Sequence, residues 1–247
     1  MNGIRATLLR ELRAYFVSPL AYVVLFFMLL INGGVFAFIV SYLNQPSYTP
    51  VGSPLEYFFG QNLFFWIVLL FVCPVLTMRL LSEERRSGTL EVLMTAPISE
   101  GQVVAGKFLA ALTFYLFLWL PTVSYAAILA YYGEVDWGPV AAGYLGILGV
   151  GSLMLAAGLF ASALSRNQII AAVIAFAACF GLLLFTFLDG LVLDSGWRAM
   201  IAHVNLAEHM SEFGRGVVDT RRLVYYLSGT LFFLFLTART LESNKWR

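Results

Sequence analysis

The chain has 247 residues, of which 60% are hydrophobic and 12% charged, with a formal net charge of +1. Soluble domains carry roughly twice that share of charge, so a water-covered fold of this length is excluded. The near-neutral balance also leaves no basic stripe for nucleic acid.

Ile4 to Phe16 is too short and too charged to span a bilayer. Ile4, Leu8, Leu12 and Tyr15 share a helical face, while Arg5, Glu11 and Arg13 lie mostly off it. This pattern predicts a helix lying flat at the membrane surface, an anchor or a lever on the first span. Ser18-Pro19 then turns the chain inward. A hydrocarbon core of roughly 30 Å takes about 20 apolar residues. Six stretches are read as spans: residues 20–40, 63–81, 108–132, 140–164, 169–188 and 223–240. The first is too long for a signal-peptide core and is expected to be retained. Pro74 and Pro121 predict kinks, and Asn32-Gly33-Gly34 offers a third site for one.

Between the second and third spans lies a compact polar segment. Ser82 is expected to cap a helix whose first turn holds Glu83 and Glu84, followed by Arg85 and Arg86. Ser87-Gly88 interrupts, Thr89 caps again, and Leu90, Leu93 and Met94 supply an apolar surface beside Glu91 before Pro97 ends the helix. Ser99 to Gln102 reads as a capping box opening the next helix. A plain solvated loop has no need of so apolar a surface, so the segment is read as a docking element.

The fourth span carries Gly143, Gly146, Gly149, Gly151 and Gly158, a strip on which another helix is expected to pack closely. The cysteines, Cys73 and Cys179, fall in apolar runs and read as small buried hydrophobes. No Asp, Glu, Lys, Arg or His lies in the six span cores, Arg79 and Arg239 falling at the ends of their spans, which argues against an ion-coupled carrier. An intramembrane protease would need a nucleophile–base pair or a carboxylate dyad at membrane depth, and none is visible. Residues 189–222 form a long connection in which Trp197, Met200, Ile201 and Val204 recur at helical spacing, with Met210 and Phe213 continuing the pattern. Short amphipathic helices resting on the outer leaflet are expected there. His203 and His209 lack the i, i+4 spacing of a helical metal pair, so no metal is expected.

Eleven of the fifteen basic residues lie in the amino-terminal segment, the loop after span two, the loop after span four and the tail. By the positive-inside rule both termini and the 82–105 loop are expected to be cytoplasmic.

The run Glu83-Glu84-Arg85-Arg86-Ser87-Gly88-Thr89-Leu90-Glu91, with Thr95-Ala96-Pro97 and Gly106-Lys107-Phe108, resembles the loop between the second and third spans of ABC-type-2 permeases. Arg10 to Tyr22 is similar to the amino-terminal signature of that family's gliding-motility-associated branch, related to the permease that assists nitrous-oxide reductase maturation. Arg215-Gly216-Val217-Val218-Asp219, Tyr225 to Ser228 and the closing residues are similar to its carboxy-terminal signature. The resemblance spans essentially the whole chain.

It implies one all-α polytopic domain over residues 1–247 in a bacterial cytoplasmic membrane, with an interfacial helix, six spans, a coupling helix and re-entrant outer helices before span six. It implies a second permease copy or a homologous permease, and separate ATPase subunits whose closure moves the spans. The coupling helix would seat Glu83, Glu84, Arg85 and Arg86 on the ATPase, so reversing the charges of Glu84 and Arg86 is expected to uncouple the two. This chain has no P-loop: Gly106-Lys107 is followed by Phe108 and lacks the upstream glycines. It is therefore expected to be no enzyme and to bind no cofactor, with ATP and Mg2+ held by the partner. The leading expectation is an exporter permease. A mechanical or assembly transducer acting on an envelope accessory protein is the alternative, and a stand-alone channel or ion-coupled carrier stands behind both.

Overall fold

The computed structural model describes residues 2–45, 53–89, 99–188 and 203–244. Among them every regular element is helical. Helix α1 covers Asn2–Val17 and α2 covers Pro19–Leu43, joined at Ser18, whose extended backbone and following proline set the turn. A short α3, Pro54–Phe58, is capped by the Ser53 side chain and leads to α4, Leu63–Thr77, capped by Asn62. Counted with the turn and helix that follow, α4 reaches Ser87. Helix α5, Ser82–Ser87, is that continuation.

Helix α6, Glu100–Trp119, opens with the capping box of Ser99 and Gln102. It stops where Pro121 removes a backbone donor, passes through a 3-10 turn at Leu120–Thr122, and resumes as α7, Val123–Tyr132. The Thr122 hydroxyl donates to the Trp119 carbonyl at 2.6 Å within the break. Asp136 caps α8, Trp137–Leu164. Helices α9 (Gln168–Leu188), α10 (Leu206–Gly214) and α11 (Thr220–Asn244) complete the chain.

Among the described residues five helical stretches are long and apolar enough to cross a membrane: α2, α4 with its continuation, α6 with α7, α8, and α11. The described apolar part of α9, Gln168–Leu184, is shorter. The chain is a multi-pass membrane protein. Asn32-Gly33-Gly34 does not interrupt α2, and the Asn32 amide donates to the Met28 carbonyl at 2.9 Å. Lipid offers the backbone no competing partners, so glycines that would loosen a helix in water hold their hydrogen bonds here.

Helix α8 is the hub, buried along most of its length against α4, α6, α9, α10 and α11. Its glycines do not form one strip for one helix. Each is a socket for a side chain arriving from a different direction. Gly143 lies under the Phe59 ring, Gly146 under Met210 and Phe213, Gly149 under Tyr226, Gly151 under Tyr115 and Gly158 under Thr77. A Cβ added at any of these five would fall between 2.2 and 2.7 Å from its neighbour. By contrast α2 buries only the narrow line of Ala21, Met28, Asn32, Phe36 and Ile39, and leaves Val23, Phe26, Phe27, Leu30 and Phe38 exposed. Both cysteines are buried and free.

Candidate functional site

Helix α5 is built for its charges. Glu83 and Glu84 occupy its first turn and Arg85 and Arg86 its last, each sign at the helix end that favours it. Gly88, at φ 72°, takes the left-handed conformation that closes the helix. Glu83 pairs with Arg79 one turn earlier at 3.1 Å.

The inward side of α5 is tied to the bundle at three places. The Ser162 hydroxyl of α8 accepts the backbone N–H groups of Leu81 and Ser82 at 3.1 Å each, and itself donates to the Met78 carbonyl at 3.1 Å. Ser82 is therefore not the cap the sequence predicts: it is buried at the first helical position, and its own hydroxyl turns back to the Met78 carbonyl. The Arg85 guanidinium donates to the Ala163 carbonyl.

The third tie is ionic. Glu84 Oε1 receives Lys107 Nζ at 2.9 Å and an Arg10 nitrogen at 2.6 Å. Glu11 Oε1 receives the same two groups at 2.8 and 2.7 Å. Lys107 is 1% exposed, Glu11 14% and Glu84 16%, so a buried cation and two largely buried anions join α1, α5 and α6, with the half-exposed Arg10 closing the cluster from the solvent side. Such a cluster holds only while each charge faces its opposite. Burial alone would raise the Glu11 carboxyl, but the Lys107 ammonium and the Arg10 guanidinium together outweigh it and hold the carboxyl below the usual carboxylate range. The close approach of α1 depends on Gly106, where a Cβ would lie 2.7 Å from Thr7 Cβ. The Tyr15 hydroxyl donates to the Leu76 carbonyl at 2.6 Å, and the Tyr15 ring stacks on Phe114.

Helix α1 is thus docked on α6 through the face expected to rest on lipid, and Glu11, expected off that face, points into it. Glu83, Arg86, Gly88 and Thr89 are exposed, whereas Glu84 and Arg85 are engaged within the chain. Leu90, Glu91, Leu93, Met94 and Pro97 lie outside the described residues. Sequence reasoning missed Arg10, Glu11, Lys107 and Ser162 as partners of α5. One signal was available: Glu11 sits between Leu8 and Tyr15 in the apolar phase of α1, three residues from one and four from the other.

At the opposite end of the bundle, Asn205 caps α10. Leu206, Met210 and Phe213 are buried against protein, not spread on a leaflet as the sequence predicts. His209 is fully buried, with Nδ1 3.1 Å from the Tyr226 hydroxyl and Nε2 2.8 Å from an Arg222 nitrogen. Arginine can only donate, so Nε2 carries the lone pair and Nδ1 the hydrogen. Arg222 also pairs with both oxygens of Glu212, at 3.0 and 3.1 Å. Arg215 pairs with Glu56 at 2.9 Å, joining α10 to α3. Gly216, at φ 85°, passes close to Pro139, and Asp219 Oδ1 accepts the Arg221 N–H at 2.8 Å where α11 begins. Trp197 lies outside the described residues.

The structure is thus a helical membrane bundle that braces a short charged helix at one end, with part of its charge left exposed. Residues 59–213 match the model of the ABC-2 family transporter protein, from the end of α3 through α10, and the chain belongs to that family. It is a membrane permease of an ABC transporter, the component distinct from the ATPase. No curated protein matches the chain.

Proposed function

We propose that this chain is the permease subunit of an ATP-driven exporter, driven through α5 and the residues that follow it by a separate ATPase. The observation that carries this reading is the two-sidedness of α5. Glu84 and Arg85 fasten it to α1, α6 and α8, while Arg86 and Thr89 are exposed on its other side and Glu83 turns to Arg79. A push on the outer side is passed to three helices at once. Two permease copies would sit over two ATPase subunits in a bacterial cytoplasmic membrane, with both termini and α5 on the cytoplasmic side and α9 as the sixth span. Leu90, Leu93 and Met94 would complete the docking surface. The branch is the gliding-motility-associated one, on the signatures at Arg10 to Tyr22 and Arg215 to Asp219.

The test is copurification of the ATPase with the tagged permease from native membranes. Arg86→Glu is expected to reduce ATPase recovery and ATP turnover of the complex by tenfold or more without changing permease yield. Full recovery and turnover with that variant would remove α5 from the docking role.

A mechanical transducer acting on an envelope protein is the second reading, favoured by the outer end. There α10 is fixed to α8 through the Gly146 socket and to α11 through His209, Arg222 and Glu212, so motion of either span is carried to the outer face. Phe213 is too buried to serve as a crosslinking probe, but Val218, 48% exposed, is suitable. A photocrosslinker at Val218 that captures a protein during ATP turnover would favour transduction, and one that captures only a small molecule would favour export.

A further inference from the structure

The seam between α2 and α4 is open along its length, and three cavities lie in it end to end. The first, about 90 Å3, is at the α1–α5 end, where Ser18, Arg79 and Glu83 meet Leu20 and Val24. Val24 and Val75 pass from it into a second of about 260 Å3, lined only by apolar side chains. Ile31 and Ile67 pass from that into a third of about 890 Å3 reaching Gln61 and Asn62. From Leu20 to Ile31, α2 rises about 17 Å. That is close to one leaflet, half of a hydrocarbon core of roughly 30 Å. The first two cavities together therefore have the length and polarity of one lipid: a polar end at the interface and a dry channel to the midplane.

The polar end is specific in its chemistry. Arg79 Nε donates to Glu83 at 3.1 Å and one terminal nitrogen reaches Ser18 Oγ at 3.5 Å. A guanidinium has five N–H groups, so donors remain for a phosphate, which guanidinium and hydroxyl together recognise. Glu83 lies one helical turn from Arg79 and offers an acceptor for an ammonium next to that phosphate. A trimethylated ammonium has no N–H to give it, and a headgroup with net negative charge brings no cation to Glu83 while competing with it for Arg79.

We propose that the α2–α4 groove binds one phospholipid with an ethanolamine headgroup, its phosphate on Arg79 and Ser18, its ammonium on Glu83, and an acyl chain along Val24, Val75 and Phe27. The site belongs to the leaflet at the α1–α5 end. Because Arg79 and Glu83 flank the turn from α4 into α5, an occupied site braces that turn. The proposal does not depend on the exporter reading.

The experiment is lipid retention by the full chain, purified in mild detergent and challenged with equal amounts of phosphatidylethanolamine, phosphatidylcholine and phosphatidylglycerol of matched chains. Native mass spectrometry reads the bound lipid. About one phosphatidylethanolamine per chain is expected, at least tenfold over the other two. Arg79→Met should remove that preference, and Val24→Trp, which fills the channel without touching a charge, should remove the lipid altogether. Phe232→Ala on the exposed face of α11 should leave retention unchanged. Equal retention of the three lipids, or retention indifferent to both Arg79→Met and Val24→Trp, would overturn the site. So would near-complete intermolecular disulfide formation by Val23→Cys in native membranes, since a second copy would then close the groove.

Discussion

The Lys107 ammonium of α6 lies 2.9 Å from the Glu84 carboxylate of α5, and both side chains are largely withdrawn from solvent. This pair, together with Glu11 and Arg10, ties the two helices to each other and to α1. Lys107→Met leaves two buried carboxylates facing each other with Arg10 as their remaining partner. The expected loss is about 3–5 kcal/mol, the range for breaking a buried pair. Arg86→Glu, on the exposed side of the same helix, should stay within about 0.5 kcal/mol. Thermal unfolding in detergent compares the two; equal Tm values would show the cluster to be structurally idle.

Ser162→Ala removes the acceptor shared by Leu81 and Ser82. A lost cap costs about 1 kcal/mol, which corresponds to roughly fivefold faster opening. Amide hydrogen exchange at Leu81 and Ser82 should accelerate by that factor while α11 stays unchanged. Unaltered exchange at both amides would assign the start of α5 to some other contact.

Glycine replacements separate sockets from mere helix positions. At Gly151 an added Cβ meets the Tyr115 ring at 2.3 Å, and that ring is held by its hydroxyl on the Ile147 carbonyl at 3.2 Å. Gly151→Ala should therefore cost about 1–3 kcal/mol, or more if the ring cannot shift. Gly181 in α9 has nothing within 4 Å, so Gly181→Ala should be neutral or stabilising by up to about 1 kcal/mol. Tm measurements on the two variants must move in opposite directions, or at least only the first must fall.

Acid should release α1. The Glu11 carboxyl is held below its ordinary value, with burial opposing and Lys107 and Arg10 together prevailing. A carboxyl depressed in the folded state contributes stability above its unfolded pKa of about 4.3, and that contribution fades as pH falls through the lower folded value. Limited proteolysis of α1 should be slow at neutral pH and rise below about pH 4. Glu11→Gln should make cleavage nearly independent of pH over that window; a wild-type-like acid response in that variant would place the sensitivity elsewhere.

The membrane class, five of the six expected spans and the break at Pro121 were legible because hydropathy, length and proline sterics act within a few neighbouring residues. So was the capping box of Ser99 and Gln102, whose two partners are three residues apart. The cap of α5 was not, since Ser162 lies eighty residues from Ser82 and local pattern pointed to the wrong serine. The glycines of α8 announced close packing, but not that Phe59, Phe213, Tyr226, Tyr115 and Thr77 would each take one.

The sequence by itself determined that this chain lives in a bilayer, where five of its long apolar helices run, and that a charged segment at Glu83 to Arg86 lies between two of them. Only the tertiary structure decided which of those charges face inward. Periodicity marks which residues share a helix face, but a charge is retained in a dry site only when an opposite charge arrives from another helix. The arrival of Arg10 and Lys107 at Glu84 is a property of the assembled bundle.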